Sequence, residues 1–188
     1  MMDMKIPWAQ PEYFGKERQY AMEAIDSTWI SDGSFVAQLE LQFQKLYRTP
    51  YISAVSNGTA AIHLALLACE IKPGDQVIVP AYGFLAAVNI LKIMDIDTVF
   101  CDIDLNTWSL NNQCVEKLIN PKTKAIITIH NYGNVAGLSD LQKISKKHGL
   151  YLIEDCAEAF PSYYAENLAG SFGDVATFSF QSTKNVTA

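Results

Sequence analysis

The sequence predicts an α/β protein: three layers, α/β/α, built around a mostly parallel sheet. Three observations predict it. From Tyr51 onward, short apolar runs of strand length alternate with stretches of helical periodicity. Clusters such as Ser56-Asn57-Gly58-Thr59 and Pro73-Gly74-Asp75 punctuate that alternation. The chemically distinctive polar residues fall just after predicted strands, and open parallel sheets collect ligands at the carboxyl ends of their strands.

Residues 1–50 form a helical N-terminal segment. Gly15 to Trp29 carries Tyr20, Ala21, Ala24, Ile25 and Thr28 on one side, and Gln38 to Tyr47 spaces Leu39, Phe43 and Leu46 as a buried stripe. Ser31-Asp32-Gly33-Ser34 between them is a turn.

Residues 51–188 form the α/β part. Strands are predicted at Ile52–Val55, Gln76–Val79, Thr98–Cys101, Ala125–Ile129, Leu150–Ile153 and Val175–Phe180. Helices are predicted from about Ala60 to Cys69, Phe84 to Met94, Asn112 to Ile119 and Leu138 to His148. The last helix ends in Lys146, Lys147 and His148 before Gly149, which supplies cations for its last turn and a glycine stop. Right-handed crossovers connect the strands. Tyr163 to Phe172 is a surface loop or a short hairpin.

Composition narrows the function. A chain of 188 residues makes one domain of common size. No apolar run reaches the roughly 18 residues of a membrane span, and Met1 to Gln10 has no signal-peptide pattern, so a soluble cytoplasmic protein is expected. A net charge of −6 gives no footprint for nucleic acid. Cys69, Cys101, Cys114 and Cys156 form no CxxC pair and are expected as reduced thiols. His63, His130 and His148 lack metal-ligand spacing, so no metal is expected.

Three features on the strand ends can carry chemistry. Gly58 and Thr59 open a helix, whose free N–H groups and positive end suit a phosphate; an N-cap with a turn glycine explains the same residues. Asp155 follows the apolar run Tyr151-Leu152-Ile153, where a partly desolvated carboxylate seeks a cation such as a pyridinium N–H; a turn-capping aspartate is the alternative. Lys184 follows the last predicted strand. It is either a solvated charge or an amine nucleophile that holds an aldehyde cofactor as a Schiff base. Together these are the set that pyridoxal 5'-phosphate requires. No GxGxxG, GxxxxGK[ST] or GxSxG motif competes, and there is no Tyr-x-x-x-Lys pair.

Four segments carry a family resemblance: Ser56 to Leu64, Pro73 to Pro80, Ile153 to Ala159, and Gly173 through Asn185. They resemble the DegT/DnrJ-type aminotransferases of fold type I, from about Ile6 to the end of the chain. The resemblance implies the large pyridoxal-phosphate-binding domain of that fold. It implies amino transfer, with glutamate as donor, to a nucleotide-linked keto sugar in amino-sugar and polysaccharide biosynthesis. It further implies a homodimer with sites at the interface.

By the same resemblance Lys184 is the Schiff-base lysine and proton carrier, and Asp155 partners the pyridine nitrogen. Gly58, Thr59 and Ser179 bind the phosphate. Phe84 takes the place of the ring that stacks on the cofactor, unless it is a core phenylalanine at a helix start. Glu158 falls near the cofactor's phenolic oxygen, and glutamate there resembles the perosamine-synthase-like branch that aminates 4-keto sugars. Trp29 to Val36 resembles an early turn near the sugar site, or is a structural turn. Family members with histidine in place of the lysine are dehydratases, and Lys184 stands against that branch. Members also run on for about as many residues again, with a second domain. The present chain therefore resembles the N-terminal half, and weak or no activity is expected of it alone. A non-catalytic fragment or pseudoenzyme and a sugar dehydratase are the rival readings.

Overall fold

The computed structural model describes Tyr13, residues 15–29, Ser31 and residues 33–187. The stretch from Ile6 to Pro11, and Ile30 and Asp32 of the early turn, lie outside the described residues. The chain divides into two compact units, residues 1–55 and 56–188.

In the first unit, α1 spans Glu17–Asp26 and α2 spans Ser34–Tyr47. α1 buries none of its side chains and α2 buries Phe43, which stacks on Tyr47 at 5.7 Å. α2 stops where Arg48 turns left-handed, at φ 53°, and its N–H returns to the Gln44 carbonyl. The strand expected at Ile52–Val55 does not form. Among the described residues that run has no partner strand to complete its hydrogen bonds, and the Ala54 N–H goes to Glu40 Oε1 at 2.8 Å.

In the second unit, α3 covers Gly58–Ala68, followed by β1 at Gln76–Pro80, α4 at Ala86–Ile93 and β2 at Asp97–Cys101. Next come α5 at Asn112–Leu118, β3 at Thr123–Ile129, a 3-10 turn at Asn131–Gly133, α6 at Leu138–His148 and β4 at Tyr151–Asp155. β5 at Tyr163–Tyr164 and β6 at Asn167–Leu168 pair as the anticipated hairpin, and β7 covers Val175–Thr177. The hairpin turn uses Ala165 and Glu166, both at positive φ (46° and 67°), as a two-residue turn of the primed kind requires.

The main sheet runs β2-β1-β3-β4-β7, with every pairing parallel. Its central strands are buried on both faces, so they read as unbroken apolar runs. Alternate residues serve opposite layers. Val77, Val79, Ile127 and Ile153 pack with Ile62, Leu66, Ile90 and Leu91 from α3 and α4. Ile78, Ile126 and Leu152 pack with Val115, Leu138 and Leu141 from α5 and α6. Each of these side chains contributes about 1.5–3 kcal/mol on leaving water.

The last strand is shorter than expected. β7 ends at Thr177 because its partner β4 ends at Asp155, the last paired residue. Phe178 and Phe180 lie beyond the ladder, where both meet the Phe160 ring edge-on at 5.9 Å. Because every strand of the sheet is parallel, their carboxyl ends form one rim. No helix among the described residues is long and apolar enough to cross a membrane.

Candidate active site

The rim is assembled from the segments that leave β1, β3, β4 and β7, with the start of α3 beside them. Asn57 caps α3 by accepting the Ala60 N–H at 2.8 Å. The N–H groups of Gly58 and Thr59 have no partner among the described residues, and neither does the Ser179 hydroxyl. Gly58 lies against Ser179: a Cβ added at Gly58 would meet Ser179 Cβ at 3.0 Å and Oγ at 3.4 Å. Glycine is therefore required by close approach, and two free N–H groups and a hydroxyl share one small cradle at a helix N-terminus. This donor set fits a phosphate.

Asp155 sits at the end of β4, buried, opposite Thr177 of β7. One carboxylate oxygen accepts the Ala157 N–H at 3.1 Å, and the other has no hydrogen-bond partner among the described residues. Burial pushes its pKa above the ordinary range, opposed by that N–H and by the charges of His130 and Lys184. An under-served buried carboxylate of this kind fits a protonated ring nitrogen.

Lys184 donates to Glu158 Oε1 at 3.2 Å, with its side chain only 16% exposed. The ammonium lies 5.5 Å from the centroid of the Phe84 ring. The Lys184 side chain is therefore largely withdrawn from solvent. Phe84 is 65% exposed and precedes α4 rather than starting it. Glu158 is fixed from three directions. Besides Lys184 it accepts the Tyr132 N–H at 3.0 Å on Oε2, and its carbonyl accepts from Asn185 Nδ2 at 3.1 Å.

Thus Lys184, Glu158 and Phe84 come together, with Asp155 within reach of the lysine's charge. Gly58, Thr59 and Ser179 form the adjoining cradle, reached two residues beyond Thr177. The Trp29 to Val36 turn belongs to the other unit.

Sequence reasoning missed a second arrangement on the same strand. Glu154 and His130 are wholly buried, and His130 Nε2 meets Glu154 Oε2 at 3.0 Å. The same carboxylate accepts the backbone N–H groups of Gly170, Phe172 and Gly173 at 2.6–2.9 Å. Burial pushes its pKa up, but the His130 contact, with the Gly173 and Gly170 N–H groups behind it, holds it below the ordinary range. The atoms of His130, Glu154 and Cys156 lie within 4.8 Å of one another, a closeness that their sequence spacing does not announce. Both Glu154 oxygens are already engaged by N–H donors, and burial drives the Cys156 thiol pKa well up, so this grouping is a clamp on the chain leading into β7. The signal available was position: Glu154 and Asp155 are neighbours on a strand and must face opposite layers.

Comparison with known proteins shows the family and the fold. Residues 12–188 match the DegT/DnrJ/EryC1/StrS aminotransferase family. A GDP-perosamine synthase of Escherichia coli O157:H7 is 43% identical over 97% of the chain, which covers 50% of that relative. The structure of an aminotransferase from Psychrobacter cryohalolentis superposes with a TM-score of 0.89 at 30% identity, over 97% of this chain and 46% of that one. The structure of E. coli GDP-4-keto-6-deoxy-D-mannose-3-dehydratase with bound hydrated PLP gives 0.91 at 28% identity, over 97% and 49%. The chain spans about half the length of the curated relatives it matches.

Proposed function

The chain belongs to the DegT/DnrJ/EryC1/StrS aminotransferase family, and from that premise we propose that it is the cofactor-binding part of a pyridoxal-phosphate-dependent sugar aminotransferase. The acceptor is a nucleotide-linked 4-keto sugar, as the likeness to GDP-perosamine synthases supports. Glutamate is the amino donor. The reaction is redox-neutral: the donor carbon is oxidised to a ketone, and the sugar carbon is reduced as it takes the amine. We place the protein in the cytoplasm as a homodimer, and residues 51–188 as the cofactor domain.

The observation that carries this reading is the convergence of Lys184, Glu158 and Asp155 on one rim beside the Gly58–Ser179 cradle. When bound, the cofactor supplies an electron sink and a temporary carrier for the amino group. The chain's own residues do the rest. Gly58, Thr59 and Ser179 hold the phosphate. Asp155 would keep a proton on the cofactor's ring nitrogen, and Phe84 would cover its ring. Glu158 orients the Lys184 ammonium at Nζ and would stand near the cofactor's phenolic oxygen. Lys184 Nζ would anchor the aldehyde and, once released, would carry the proton in each half-reaction between the reacting substrate carbon and the cofactor. A lysine here opposes the dehydratase reading.

The test follows the amino group. The protein is loaded with pyridoxal phosphate and mixed with glutamate in a single-turnover assay, where even the weak activity expected of the chain alone registers, and the visible absorbance should fall as the cofactor takes up the amine. Adding a nucleotide-linked 4-keto-6-deoxy sugar should restore it. Absorbance that glutamate leaves unchanged, or a sugar that loses a hydroxyl instead of gaining an amine, refutes the proposal.

A further inference from the structure

Three aromatic side chains from separate loops meet at the rim beside the lysine. Tyr82 follows β1, Trp108 follows β2, and Tyr132 follows β3. Trp108 meets Tyr82 edge-on at 5.2 Å and Tyr132 at 6.2 Å. The two tyrosine hydroxyls hydrogen-bond to each other at 3.1 Å. All three rings stay open to solvent, at 38%, 46% and 68% exposed for Tyr82, Trp108 and Tyr132.

The cluster is built, and at some expense. Trp108 and Tyr132 both adopt left-handed backbone, φ 57° and 54°, which bulky residues avoid. Such strain persists where the surroundings impose it, and it collects at ligand sites. Asn131 ties two of these loops together, through hydrogen bonds from Nδ2 to the carbonyls of Tyr82 and Trp108 at 3.4 Å. Gly83 lets the β1 loop close onto β3, since a Cβ there would meet Ile129 Cδ1 at 2.9 Å.

Position and chemistry select the occupant. Tyr132 donates its N–H to one oxygen of Glu158 while Lys184 binds the other, so the cluster stands one residue away from the reacting amine. Among the described residues it contains no cation, and the Glu158 carboxylate adjoins it, which disfavours a phosphate. An apolar partner would leave the paired hydroxyls without use. A pyranose ring has both things on offer: a C–H face for the aromatic rings and hydroxyls for the tyrosine pair.

We propose that Tyr82, Trp108 and Tyr132 form the wall on which the hexose ring of the keto-sugar substrate rests, with the Tyr82–Tyr132 hydroxyl pair reading a ring hydroxyl. This assignment rests on the aminotransferase reading above and adds the residues that select the sugar.

The experiment separates the two. Wild type, Trp108→Leu and Tyr132→Phe are loaded with pyridoxal phosphate, and each half-reaction is followed in single turnover by cofactor absorbance. Binding of the sugar nucleotide and of the matching nucleoside diphosphate is measured alongside by calorimetry. The wall predicts that the sugar half-reaction needs about tenfold more sugar nucleotide in either variant. The glutamate half-reaction should be slowed far less, and nucleoside diphosphate affinity should hold. Equal losses in both half-reactions, lost diphosphate affinity, or no change at all would overturn it. If wild type accepts no amine from glutamate, the functional reading fails, while calorimetry still decides whether the variants discriminate sugar nucleotide from diphosphate.

Discussion

Glu154 and Asp155 are adjacent carboxylates on one strand, both buried, and they behave in opposite ways. Glu154 faces the α5/α6 layer, where three backbone N–H groups and His130 engage both oxygens, and its pKa is held down. Asp155 faces the other layer, where a single N–H serves it, and its pKa is driven up. Burial raises both, and at Glu154 alone the His130 contact, backed by the Gly173 and Gly170 N–H groups, reverses the direction. A fully served carboxylate is a structural clamp. An under-served one is held at a cost that a bound cation would relieve.

The sharpest way to break this contrast is Glu154→Ala. It strands His130 and three N–H groups in the interior, and should cost about 3–5 kcal/mol of stability in chemical denaturation. Asp155→Asn should raise the denaturation midpoint at neutral pH, because it removes the under-served charge, and yet lower amino transfer by about 10²–10³-fold. If both substitutions act mainly on stability, the division of labour is wrong.

Next in size is the cradle. Gly58→Ala forces Ser179 aside, an overpacking of about 1–3 kcal/mol that should appear mostly as weaker cofactor binding by equilibrium titration.

Acid titration sharpens the comparison without abolishing either residue. Glu154 has a depressed folded value, so its contribution is present above its ordinary 4.5 and is lost as pH falls through the folded value. Asp155 has a raised folded value, so stability declines as pH rises from its ordinary 3.8 through that value. Glu154→Gln should flatten the acid limb of stability against pH, and Asp155→Asn should remove the opposing slope. The smallest effect concerns the thiols. Burial raises the Cys69 and Cys101 pKa values to about 11 and about 12 and drives Cys156 well up, so iodoacetamide should label the half-buried Cys114 first.

Much of the sheet was legible because its strands are short, apolar and separated by turn residues, so local pattern and final structure agree. Ile52–Val55 has the same local pattern but lacks a partner, and pairing is decided by distant chain. Phe178 to Phe180 misled for the same reason, since β4 ends before it could hold them. Lys184 could be singled out as a lone lysine after an apolar run, and Asp155 as an acid closing one, with the family resemblance choosing it over Glu154. Glu154 could not, because its donors come from residues 130 and 170–173. The Tyr82–Trp108–Tyr132 cluster was equally hidden, as its members approach only where three crossovers return to one rim.

The central claim is that this rim holds pyridoxal phosphate covalently on one particular amine. Borohydride reduction of the cofactor-loaded protein followed by peptide mapping tests it, independently of turnover. The cofactor's mass should be found on the peptide carrying Lys184, and Lys184→Ala should leave the reduced protein unlabelled. A label on Lys124, Lys146 or another lysine, or one that survives Lys184→Ala, would contradict the account.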